Sequence, residues 1–174
     1  MIKRSFKGIY KPTNPKKYVG NPNNIVYRSL LERRFMVYCD TNPGIVNWAS
    51  EELPIRYYNP IDKKYHRYFP DFIIKTDKNR KMLIEIKPSR QLSRPKPPKK
   101  KTKSYMRESF EFIKNKAKWS AASKYADDNG AVFKIITEKD LSLIQISEPT
   151  RLLSISECVV CVKKKTRGGG GGWG

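Results

Sequence analysis

A chain of 174 residues has room for one domain and an appendage, but not for two full domains. Its 37 Lys and Arg against 16 Asp and Glu give +21, a field that attracts polyanions, nucleic acid being the usual one. No apolar run nears the roughly 20 residues that span a bilayer, and residues 1–10 lack the apolar stretch of a signal peptide, so a cytosolic protein with no membrane association is expected.

Residues 1–24 contain Lys11-Pro12, Asn14-Pro15 and Asn21-Pro22. Three such steps disfavour helix, and the stretch is expected to form an extended basic arm. Asn23 or Asn24 then caps a helix over residues 25–39, with Tyr27, Leu30, Leu31, Phe35 and Tyr38 along one face. Glu32 lies beside that stripe. Strand character follows at 45–48, 53–58, 65–69, 72–75 and 82–87, broken by turn residues at 59–62 and 77–79. An antiparallel meander is the expectation. Residues 88–103 hold seven positive charges and no acid, which predicts a mobile loop. A second helix over 104–128, stopped by Asn129-Gly130, leads to a last strand over 131–137. Helix, meander, helix and strand make an α/β sandwich around a mixed sheet, because the long helix lets the last strand return beside the meander.

Residues 141–174 differ in character. Leu141 to Arg151 resembles the translation of a sequencing-library adapter, departing at Gln145 where that frame gives His. Lys163–Lys165 and Gly168–Gly172 are what adenine and guanine runs encode. The segment is expected to be non-native read-through with few contacts to the core. Its net +3 leaves +18 for the first 140 residues. Cys158-x-x-Cys161 falls inside it and supplies only half of a four-ligand zinc site; with Cys39, the three cysteines form no disulfide framework.

Chemistry concentrates in two short segments. Pro70-Asp71-Phe72 places a carboxylate at the start of an apolar strand, and Ile84-Glu85-Ile86-Lys87 places a second one beside a lysine. Residues i and i+2 of a strand share a face, so Glu85 and Lys87 project together while Ile84 and Ile86 enter the core. If the two strands pair through the turn at 77–80, Asp71 falls near Glu85. Paired carboxylates suit a hard cation, and a lysine beside them suits charge developing on a phosphate. Taken singly, Asp71 also suits a turn acid, Glu85 and Lys87 an exposed cross-face pair, and Glu32 ordinary helix decoration.

Together these residues resemble the PD-(D/E)XK nuclease superfamily, and the order Glu32, Asp71, Glu85, Lys87 resembles its TnsA-type branch. Within it the chain is similar to the head-completion nucleases of contractile-tailed phages. The stretches that carry this are Gly8-Ile9-Tyr10-Lys11-Pro12, Tyr27-Arg28-Ser29-Leu30, Trp48-Ala49-Ser50-Glu51-Glu52, His66-Arg67-Tyr68-Phe69-Pro70-Asp71-Phe72 and Ile84-Glu85-Ile86-Lys87-Pro88. The resemblance implies a restriction-endonuclease-like fold and an Mg²⁺-dependent deoxyribonuclease, with Mn²⁺ as substitute and no small-molecule cofactor. It implies endonuclease action, with exonuclease action open. Asp71, Glu85, the Ile86 carbonyl and Glu32 would hold metal, and Lys87 would orient or help deprotonate the attacking water and offset charge on the phosphate. Glu51 and Glu52 are placed either to support Lys87 or to shape the sheet edge, and His66 is expected to be a strand residue beside the site rather than a group that helps a phosphate or a proton. DNA would be gripped by Lys11, Lys16, Lys17, Arg90, Arg94, Lys99, Lys100, Lys101 and Lys103. The implied setting is the cytoplasm of an infected cell, on packaged DNA, with other phage head or neck proteins as partners. The rivals are a non-cutting DNA-binding head–neck plug and a TnsA-like transposase subunit.

Overall fold

Ile25, Val26 and Tyr27 are β-branched or aromatic and favour a strand over the expected helix. They form β2 (Ile25–Tyr27), antiparallel to β1 (Gly8–Tyr10). The helix, α1 (Leu30–Thr41), starts later and is capped by Ser29, whose hydroxyl accepts from Glu32 N–H at 3.1 Å, so neither Asn23 nor Asn24 is the cap. The computed structural model describes residues 6–98, 100 and 102–146, with side chains to Ser142; Lys99, Lys101 and residues 147–174 lie outside the described residues.

The N-terminal stretch, described from Phe6, carries β1 and a 3-10 turn at Pro15–Lys17 and is stitched to the domain. The buried Asp40 carboxylate at the end of α1 accepts from Tyr10 OH at 3.0 Å, Thr13 N–H at 2.6 Å and Asn14 N–H at 2.9 Å. Three donors satisfy a charge that would otherwise be costly to bury. Tyr18 then packs edge-on against Trp48, with centroids 4.7 Å apart.

The remaining elements are β3 (Ile45–Ser50), β4 (Ile55–Asn59), β5 (Lys64–Tyr68), β6 (Phe72–Thr76), β7 (Lys81–Ile86), α2 (Lys103–Asp128), β8 (Ala131–Ile136) and α3 (Glu138–Ile146). The main sheet has the order β3-β6-β7-β8. Its first three strands are antiparallel and β8 is parallel to β7, the crossover being α2. This is the mixed, helix-flanked α/β sheet expected. The five-strand meander is not: β4 and β5 pair only with each other, and β3 pairs directly with β6. The reason is a second core. Ile55, Tyr57 and Tyr68 leave the sheet to pack with Leu83 and with Ala122 and Ala126 of α2, two small residues that let the helix come close.

The opposite face carries the larger core, in which Phe72, Ile74, Met82, Ile84 and Ile86 pack on Phe35, Met36 and Trp48. Strand alternation therefore turns Leu83, and with it Glu85, toward α2 and the hairpin. Helix α2 ends at Asn129, and Gly130 follows at φ 62°, a conformation that favours glycine. Helix α3 runs across the expected boundary at residue 141. Thr137 N–H and hydroxyl both donate to Asp140, at 2.8 and 2.7 Å, capping α3 and setting Leu141, 3% exposed, into the core under α1. Among the described residues no helix is long and apolar enough to cross a membrane.

Candidate active site

Strand β7 outruns β6. The β6–β7 ladder stops at Phe72 and Ile84, whereas β7 continues beside β8 through Glu85 and Ile86. Asp71, the residue just before β6, turns into this gap, and its carboxylate accepts the Ile86 N–H at 2.7 Å. Lys87 N–H bonds Ile136 on β8 at 3.0 Å, so by alternation Ile86 directs its backbone groups the other way, toward Asp71. Glu85 is 2% exposed. Its carboxylate accepts from Tyr68 OH on one oxygen and meets the Lys87 ammonium at 2.9 Å on the other.

The electrostatics follow from this crowding. Burial, then the neighbouring Glu85 carboxylate, pushes Asp71 up to about 7, with Lys87 and the Ile86 N–H only partly offsetting it. Burial disfavours the Lys87 ammonium, but Glu85 and Asp71 more than compensate and hold its pKa above the usual lysine value. Lys87 is therefore charged at neutral pH. Burial also raises Tyr68, reinforced by Glu85, which keeps its hydroxyl a donor.

These groups open into a cleft of about 520 Å³ lined by Asp71, Glu85, Lys87, Tyr68, Phe69, Arg28, Glu51, Arg67 and Lys118. Arg28 and Glu51 form an ion pair across the mouth. Glu51 is held at φ 55°, a left-handed conformation of the sort found where surrounding structure over-determines the backbone. Lys118 comes from α2 and lies 5.4 Å over the Tyr68 ring and 5.8 Å over Tyr57. Burial lowers its pKa, with Glu85 opposing and Lys114 and Lys87 adding to the fall.

The structure thus brings Asp71, Glu85, the Ile86 backbone and Lys87 together, as the spacing led one to expect. Glu32 stands apart from the cleft lining. Its carboxylate accepts from Ser29 OH at 2.9 Å and from Arg28 N–H at 2.7 Å, although its charge is felt at both Asp71 and Lys87. Among the described residues no three His, Cys, Asp or Glu side chains gather closely enough to hold an ion on their own. His66 faces Asp62 at 2.6 Å on the hairpin, outside the cleft. Of the expected DNA-gripping residues, Lys11, Lys16, Arg90, Arg94, Lys100 and Lys103 are exposed. The Lys17 ammonium donates to Asn42 C=O at 2.8 Å. Sequence reasoning missed Arg28, Arg67, Tyr68 and Lys118 as cleft residues. Tyr68 and Arg67 sit in the same segment as Asp71, so proximity along the chain was a usable signal; Lys118, on a 26-residue helix, offered none.

Residues 42–138 match the family model for the TnsA-like endonuclease N-terminal domain. The chain is also 36% identical over 141 residues to the head completion nuclease of Enterobacteria phage T4, an alignment that spans 79% of this chain and 94% of that protein. Asp71, Glu85, Lys87 and Lys118 all fall inside the matched domain. The chain belongs to the TnsA-like endonuclease family.

Proposed function

We propose that this protein is a divalent-metal-dependent DNA endonuclease that acts on packaged DNA during phage head completion, with Asp71 and Glu85 as metal ligands and Lys87 as the cation beside the attacked phosphate. The observation that carries this reading is the pair of carboxylates set side by side at the end of β7. Without a cation the pair is electrostatically unfavourable, burial and then the Glu85 charge both raising the Asp71 pKa. Two carboxylates, the Ile86 carbonyl facing the same gap, and room for water and phosphate oxygens suit a hard ion such as Mg²⁺ or Mn²⁺. When bound, such an ion neutralises charge on the phosphate and acidifies water, the chemistry that phosphodiester hydrolysis needs.

The chain's own residues supply the rest. Tyr68 OH and the Lys87 ammonium fix the Glu85 carboxylate from two sides. Lys87, being charged, orients water and offsets developing phosphate charge rather than taking a proton. Lys118 and Arg67 line the same cleft and add positive charge where the scissile phosphate would lie. Each Glu32 carboxylate oxygen accepts one hydrogen bond, from Ser29 or from Arg28, so its first duty is the capping of α1 and a metal would take its remaining lone pairs. The exposed basic residues at both ends of the domain hold the DNA backbone without reading bases.

The head-completion setting is carried over from the phage relative, whose alignment spans nearly its whole length. Other head or neck proteins as partners, and the infected cell's cytoplasm as the site of action, belong to the same inference. Incubating the protein with linear and with circular DNA tests the reading. Mg²⁺ or Mn²⁺ should yield cut products from both forms, and EDTA should yield none. Circular DNA left intact under every metal condition would refute an endonuclease.

A further inference from the structure

The β4–β5 hairpin carries more aromatic and basic surface than its packing uses. Its register sets Arg56 opposite Arg67 and Tyr58 opposite Tyr65. Ile55, Tyr57 and Asn59 of β4 are buried, so the alternate residues Arg56 and Tyr58 point away from the core, and Arg67 and Tyr65 share that outer face. Tyr58 is 46% and Tyr65 61% exposed. The two rings meet edge to face at 5.3 Å, and the Arg56 guanidinium lies 4.3 Å over Tyr65. Neither Arg56 nor Arg67 forms an ion pair among the described residues. Like charges directly opposite one another destabilise a two-stranded ribbon, and a polyanion laid along the face would relieve them.

We infer that this outer face is a docking platform for single-stranded DNA, with Tyr65 and Tyr58 stacking on unpaired bases. The inference rests on the DNA reading proposed above and adds the form of DNA the protein takes. Exposed tyrosines backed by arginines bind bases through their flat faces, and duplex DNA hides those faces inside its own stack. The platform is also continuous with the cleft. Arg67 lines both the catalytic cleft and the shallow groove formed by Pro54, Arg56, Tyr65 and His66. Tyr65 lies three residues from Tyr68 along β5, about 10 Å at ~3.3 Å per residue. A strand stacked on Tyr65 would therefore run past Arg67 toward Asp71 and Glu85 within a few nucleotides. The preferred substrate is DNA with an unpaired segment beside the cut, such as a frayed end or a flap.

The test is binding of a single-stranded oligonucleotide carrying 2-aminopurine, in EDTA so that nothing is cut. The wild-type protein should quench the probe on binding. Tyr65→Ala and Tyr58→Ala should each weaken single-strand binding roughly five-fold or more, the lower end of what one base–aromatic stack contributes. They should also lose quenching, while Tyr65→Phe keeps both and duplex affinity changes less than about two-fold. Unchanged quenching and affinity in Tyr65→Ala would overturn the inference, as would an equal loss for duplex and single strand. Metal-dependent cutting of duplex plasmid is scored separately. Quenching without cutting would retain the platform and refute the metal site; cutting without quenching would do the reverse.

Discussion

Asp71 accepts one backbone N–H, faces a second carboxylate, and has its pKa raised to about 7 by burial and by Glu85. A carboxyl whose folded pKa is raised gives stability that is fully present below its unfolded value and is lost as pH rises through the folded one. In the metal-free protein this loss runs from about pH 4 to about pH 7. Asp71→Asn keeps an oxygen for the Ile86 N–H but removes the charge. In EDTA at pH 8 it should therefore melt higher than wild type, by about 1–2 kcal/mol or a few degrees once the site's partial solvation is allowed for. The gain should shrink toward pH 5, where the wild-type carboxyl is itself protonated. Thermal melts at the two pH values check this, and a variant less stable than wild type at pH 8 would mean that Asp71 is a structural acid.

At the scale of elements, what was legible in the sequence was whatever depends on local periodicity. Two-residue alternation placed Glu85 and Lys87 on one face and Ile84 and Ile86 on the other, and the long run of 103–128 made a helix and hence a parallel β8. What was not legible depends on tertiary packing. The hairpin leaves the sheet because Ile55, Tyr57 and Tyr68 find Ala122 and Ala126, a choice made between distant segments. Lys118 reaches the cleft through the same contact. Helix α1 starts at Leu30 because Ser29-x-x-Glu32 is a capping pair, a stronger start signal than Asn23 or Asn24. The coding signature of residues 141–174 says nothing of packing, and Leu141 lies in the core below α1. Truncation after Ile146 should leave folding and cutting intact, whereas truncation after Asp140, or Leu141→Ala, should destabilise by about 2–5 kcal/mol, the usual range for a buried Leu→Ala change. Denaturant melts of the three variants distinguish these outcomes, and equal stability for all three would return Leu141 to the tail.

Across the whole molecule, a net +21 attracts DNA, while the proposed chemistry is confined to one anionic pair. Those two roles separate. On the proposed reading, removing either carboxylate takes one ligand from the metal and leaves the basic surface intact, so affinity for DNA should persist or rise. The most direct measurement is plasmid cleavage with Mg²⁺, alongside binding of the same DNA in EDTA, for wild type, Asp71→Ala and Glu85→Gln, the last keeping an oxygen for Tyr68. Both variants should bind DNA at least as tightly as wild type and cut it at least roughly 10²-fold more slowly, the scale of losing a positioned electrostatic group. Cleavage near the wild-type rate by either variant would contradict the assignment of Asp71 and Glu85 as the metal site.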